Sequence, residues 1–380
     1  MNTANTPLSV FPDSKNHYKI LDALRGVAAL MVVAFHIFEA HAISNQDQVI
    51  NHGYLAVDFF YLLSGFVIGY AYDDRWGKMT LGGFLKRRLI RLHPMVVMGM
   101  IVGAVFFYFQ GGTLFPGISQ VPVGRMLLIM VIGCTLLPVP VSMDIRGWQE
   151  MHPLNGPGWS LFFEYIVNIL YALVVRKFSN TLLAVLVFIA GGALVYLTVA
   201  GPNGDVIGGW SLDPAQLRIG ITRVMFPFFA GLLLSRVTKL TRVKNAFLLC
   251  SALLVIIFAA PRIGGTTHLW MNGLYVTICI IILFPLIVYL GASGEINGKN
   301  TSKVAGFLGD ISYPIYITHY PLIYTYTAWV VEHKLPISKS YPIAILVFVS
   351  SIVLAYACLK WFDEQVRKWL TRRFIAKAAK

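Results

Sequence analysis

The chain has 380 residues, a length that would suit two or three soluble domains, yet 57% of them are hydrophobic and only 13% charged. A soluble surface of that size needs more charge than 31 bases and 17 acids supply, so the composition excludes a soluble enzyme and indicates an all-α polytopic membrane protein. The net charge of +14 then reads as membrane topology and not as a nucleic-acid partner.

The first 19 residues are polar and carry Pro7, Pro12 and Asp13. They lack the cationic start, short apolar run and cleavage site of a removable signal, and are expected to form a cytoplasmic tail. Eleven apolar stretches follow, near 21–40, 54–72, 92–109, 124–138, 159–175, 180–200, 218–235, 246–261, 270–291, 313–331 and 341–360. Eleven crossings would separate the termini, although Lys15 and Lys19 at one end and the basic run after Arg367 at the other both read as cytoplasmic. The weakest stretch is 124–138, whose apolar core runs only from Met126 to Leu137 before Pro138-Val139-Pro140. It is expected to be a re-entrant or interfacial helix.

About ten transmembrane helices remain, in a single domain over 20–361 with a basic cytoplasmic tail at 362–380. Twenty-four of the 31 Lys and Arg residues then lie on the inner side. Cys134, Cys250, Cys279 and Cys358 all sit inside apolar segments without metal-ligand spacing, so they read as small hydrophobes and no metal site is expected.

An ionisable group in the hydrocarbon costs at least about 2.5–3.5 kcal/mol, so each one needs a reason. Arg25 and His36 are eleven residues apart, which puts them about 20° apart around a helix and about 16.5 Å apart along it. A cation and a titratable imidazole thus share one face, at a separation comparable to a pantetheine chain. Asp58 and Glu164 fall at depths not far from His36, and either carboxylate could fix the tautomer of a histidine base. Glu39 reads as an interfacial residue facing water. Arg88 and Arg91, three apart, offer two forked donors for phosphates on one helix face. His319 falls in the inner half of its stretch, too far from His36 to be its direct partner. The competing structural readings are a snorkelling Arg, a buried His bonded to a carbonyl, and acids that bridge helices.

Together these segments resemble the integral-membrane acyltransferase family 3, over nearly the whole chain. Leu21-Asp22-Ala23-Leu24-Arg25-Gly26 with His36 resembles its first helix, an Arg followed after ten intervening residues by an essential His. Gly53 through Asp58-Phe59-Phe60 to Ser64-Gly65-Phe66 is similar to its GxxxVDxFFxxSGF segment. Arg88-Leu89-Ile90-Arg91 resembles its cytoplasmic RxxR motif, and Trp159-Ser160-Leu161-Phe162-Phe163-Glu164 its WSLxxE motif. Arg223 with Phe228, Phe229 and Gly231, and Ser312 through His319 with Pro321, resemble later blocks.

The resemblance implies a bacterial inner-membrane O-acyltransferase of the stand-alone form, without the C-terminal soluble esterase-like domain of many relatives. Its donor would be acetyl-CoA or another acyl-CoA, a co-substrate and not a permanently bound cofactor. Its acceptor would be a hydroxyl of a glycan, a lipid-linked glycan or a small molecule. On that reading His36 is the general base, oriented by Asp58 or Glu164. Arg25, Arg88 and Arg91 hold the donor, and Trp159, Ser160, Arg223, Tyr313 and His319 are acceptor-binding or supporting residues. The alternatives are a proton-coupled transporter, in which the same His and acids form a relay, and a non-catalytic subunit of a polysaccharide export complex.

Overall fold

A computed structural model describes residues 17–296 and 298–375; the first 16 residues, with Lys15, and the last five lie outside the described part. The described residues form fourteen helices and no named strand. In order they are α1 (Lys19–Glu39), α2 (Ala56–Tyr72), α3 (Leu81–Phe106), α4 (Val123–Cys134), α5 (Gly158–Leu173), α6 (Asn180–Val195) and α7 (Pro214–Val237). The second half holds α8 (Ala246–Ala259), α9 (Leu269–Ile278), α10 (Phe284–Ala292), α11 (Lys299–Thr318), α12 (Tyr320–His333), α13 (Ile337–Cys358) and α14 (Glu364–Phe374).

The fold is an all-α polytopic membrane bundle. Seven continuous helical stretches are long and apolar enough to cross a membrane, with α9–α10 and α13–α14 each counting as one through a π-helical turn. The shorter apolar helices α5 and α8 occupy two more of the expected stretches. Helix α4 has 12 residues, about 18 Å of rise, and is too short to span, in keeping with its short apolar core. Helical structure also continues past residue 361, because α13 runs through to Phe374 as a 38-residue rod.

The stretch at 313–331 differs from expectation. It is not one helix: α11 starts fourteen residues earlier, at Lys299, and stops at Thr318, and α12 restarts at Tyr320. Pro321 explains the break, since it has no N–H to donate to the carbonyl of Ile317. That carbonyl instead accepts from the Asn155 side-chain amide at 2.8 Å. His319 sits at the junction, about 30 Å of helix beyond the start of α11. It therefore lies much deeper than a count from residue 313 implies.

Small residues set the helix spacing. Helices α2 and α7 pack along Gly65 and Gly231, and a Cβ on Gly65 would lie 1.8 Å from the Phe228 carbonyl oxygen. Helices α1 and α11 meet in the same way at Gly26, where a Cβ would lie 2.2 Å from the Leu308 carbonyl oxygen. Such backbone-to-backbone approach supplies the packing attraction that lipid cannot provide through a hydrophobic effect. Gly65→Ala is expected to cost about 1–3 kcal/mol and lower the melting temperature of the detergent-solubilised protein by several degrees. Gly192→Ala, which meets nothing within 4 Å, should leave it unchanged.

Candidate active site

Among the described residues, two cavities concern the predicted site residues. The inner one, about 550 Å³, collects the basic residues of α1 and α3. The outer one, about 510 Å³, collects His36 and a set of aromatic rings. Both are of the size of small-molecule sites. Val57 and Tyr316 line both, so the cavities meet back to back at those two side chains.

In the inner cavity Arg25 pairs with Asp22 one turn earlier at 3.3 Å. Arg88 donates to Glu164 at 2.9 Å, and Ser64 donates to the same carboxylate oxygen at 2.6 Å. Glu164 therefore faces the arginines and not His36, which corrects the expectation that it might orient the imidazole. The expected pair of phosphate forks is also unequal: Arg88 is engaged, whereas Arg91 makes no hydrogen bond or ion pair among the described residues. Ser160 and Tyr313 line this cavity too, and the Tyr313 hydroxyl donates to the Leu92 carbonyl at 2.7 Å.

In the outer cavity the partner of His36 is Glu39, its Oε2 lying 2.6 Å from Nδ1. An ionised carboxylate only accepts, so in this contact Nδ1–H is the donor. The signal was present in the sequence as an i,i+3 spacing on a helix, which brings the two side chains onto one face. Glu39 is also half-exposed, in keeping with an interfacial residue that faces water.

Asp58 is likewise not the partner of His36. Its carboxylate takes both Nη2 (2.7 Å) and Nε (3.3 Å) of Arg223, and neither side chain is more than 2% exposed. Arg223 spends its remaining donors on the Tyr54 and Gly208 carbonyls and lies over the Trp159 ring at 5.1 Å. Arg223 and Trp159 border the outer cavity, whereas Asp58 lines neither.

His319 is a second correction of depth. Its ring stacks on that of His36 with centroids 5.7 Å apart and a 26° interplanar angle. Its Nδ1 lies 2.9 Å from the Ile315 carbonyl and 3.0 Å from that of Tyr316, so it donates there. The break at Pro321 carries the ring to this level.

The opposite wall comes from the segment between α4 and α5. The Asp144 carboxylate accepts from the backbone N–H groups of Arg146, Gly147 and Gln149 in a tight turn, with Gly147 at φ +100°. The turn directs Glu150 into the cavity, where both of its oxygens lie 2.6 Å from the Tyr324 hydroxyl. Arg146 stacks on the face of Tyr324, 3.5 Å from its centroid. Burial pushes the Glu150 carboxyl up to about 7, against the pull of Arg146. Arg146, four residues earlier, lies 3.6 Å from Glu150, while the hydroxyl of Tyr324 is brought to it from α12.

This bundle agrees with what the chain is similar to. A family model described as an acyltransferase domain, of the acyltransferase-3 type, matches residues 18–360. The chain belongs to that family. It is 24% identical over 92% of its length to "O-acetyltransferase OatA" of Staphylococcus aureus, and spans 57% of that relative. It is 26% identical to "Acyltransferase MdmB" of Streptomyces mycarofaciens, over 80% of this chain and 78% of the other. "Protein 2 in picA locus" of Rhizobium radiobacter is 37% identical over 40% of this chain and 80% of its own length. No solved structure matches. The chain is thus an enzyme that transfers acyl groups, which sets the transporter and export-subunit readings aside.

Two outcomes test this geometry. Asp58→Asn leaves the Arg223 charge buried without a counter-ion and should destabilise by about 3–5 kcal/mol, whereas Asp58→Leu with Arg223→Met should cost less than either single change, as read from melting curves. Glu150 holds a proton in the folded protein that the unfolded chain gives up above 4.5. Stability should therefore fall as pH rises from about 4.5 to about 7 and level off above, and Glu150→Gln should flatten that part of the profile.

Proposed function

We propose that the protein is a membrane O-acyltransferase that takes an acyl group, acetyl by preference, from acyl-CoA entering the inner cavity from the cytoplasm. It passes that group to a hydroxyl of a glycan or glycan precursor in the outer cavity. The observation that carries this reading is the meeting of an arginine-lined cavity with the cavity that contains His36. OatA and MdmB, named as an O-acetyltransferase and an acyltransferase, support the class of reaction.

Arg91, which has no carboxylate partner, and Arg25 hold the donor's phosphates and polar chain, with Arg88 exchanging its Glu164 contact as the donor enters. The thioester then points at the junction of the two cavities. Nε2 of His36 removes the acceptor's hydroxyl proton while Nδ1–H stays on Glu39. The acceptor oxygen bonds to the acyl carbon, the carbon–sulfur bond breaks, and the imidazolium returns the proton to the leaving sulfur. Glu39 stabilises the imidazolium between those events. The polar and aromatic lining of the outer cavity, with Trp159 and Glu150, suits a hydroxyl-rich acceptor.

Purified protein should consume acetyl-CoA in an acceptor-dependent manner without any membrane gradient. His36→Ala should lower transfer by at least about 10²–10⁴-fold with the melting temperature retained. Glu39→Gln should lower kcat with little change in donor KM, and Arg91→Ala should raise donor KM. Undiminished transfer by folded His36→Ala would end this mechanism.

A further inference from the structure

Two cavities that meet without merging are divided by something, and here the division consists of two side chains, Val57 on α2 and Tyr316 on α11. The Tyr316 ring is 6% exposed and stands edge-on to Phe60, with centroids 5.3 Å apart. Its hydroxyl lies 2.7 Å from Ser160 Oγ. Ser160 donates its own proton to the Pro157 carbonyl at 2.9 Å, so the Tyr316 hydroxyl is the donor in that pair. The ring is thus latched across the gap between α11 and α5. Next to it are His319, at 6.2 Å, and beyond that His36, stacked on His319. One neutral hydrogen bond and the packing of the ring against Phe60 and His319 hold the latch.

We propose that Tyr316 is a positioning residue that decides between acyl transfer and hydrolysis: its ring keeps outer-cavity water from the donor's thioester. The proposal rests on the reading above, with donor in the inner cavity and base in the outer one. Before an acceptor occupies the outer cavity, that cavity holds water beside a competent base. If water reached the acyl carbon, its oxygen would bond there and the carbon–sulfur bond would break. The proton taken by His36 would pass to sulfur, releasing acetate and free CoA. An acceptor filling the outer cavity displaces that water, and only then does opening the latch lead to transfer. Val57 alone cannot seal the junction, because it has neither the reach of a phenol nor a partner across the gap.

The test uses purified full-length protein with acetyl-CoA, no acceptor, and thiol release as the readout. Tyr316→Ala should raise acceptor-free hydrolysis by at least about tenfold, a gain that misfolding does not produce. Tyr316→Phe keeps the ring and its packing but loses the latching hydrogen bond, so it should raise hydrolysis by a smaller factor than the alanine variant, about two- to tenfold. Tyr316→Ala combined with His36→Ala should return to the background. Should the alanine variant fail to fold, Tyr316→Leu, which also lacks the ring's reach, carries the same expectation. Unchanged hydrolysis in a variant that still binds CoA by calorimetry, or a gain that persists without His36, would overturn the role of Tyr316. Absence of CoA binding by the wild type would instead overturn the donor assignment, and this proposal with it.

Discussion

Charge that leaves water needs a counter-charge, and in this bundle that constraint is met by the ion pair between Arg223 and Asp58. Both side chains are buried, two donors of one guanidinium meet one carboxylate, and the remaining donors find backbone carbonyls. The pair ties α2 to α7 two helical turns, about 10–12 Å, before Gly65 and Gly231 bring the two helices into backbone contact. Tyr54, Trp159 and Gly208 are held through Arg223, and these residues form one side of the outer cavity. If Asp58 were absent, the packing of α2 on α7 would have to accommodate an unpaired buried cation beside the first turn of α2.

The same principle sorts the other ionisable groups by task. Glu164 neutralises Arg88 and so belongs to the inner cavity. Arg91 lines the same cavity and makes no ion pair among the described residues. Glu39 contacts His36, and Glu150, its carboxyl raised by burial to about 7, lies beside Tyr324 and 3.6 Å from Arg146. Acids that look equivalent in an apolar sequence thus divide into two structural partners, one orienting group and one weakly acidic wall residue.

Much of the fold was legible in the sequence, because hydrocarbon demands long apolar helices and leaves few other arrangements. The non-spanning helix near 124–138 was visible from its short apolar core, and the family was visible from motifs in order. The break at His319 was less so. Pro321 announces a possible kink, but the early start of α11 at Lys299 lies in a polar stretch that a search for apolar runs passes over.

The sequence by itself singled out Arg25, His36, Asp58, Arg88, Arg91, Glu164, Arg223 and His319, and the fold places them at or beside the two cavities. Only the tertiary structure decided how they pair. Pairing depends on which helices adjoin and at what height, and spacing along one chain specifies neither across different helices. It does specify them within one helix, which is why Glu39, one turn after His36, and Asp22, one turn before Arg25, are readable from spacing. The wall at Tyr316 belongs wholly to the tertiary level, since it exists only where α11 closes the gap between α2 and α5.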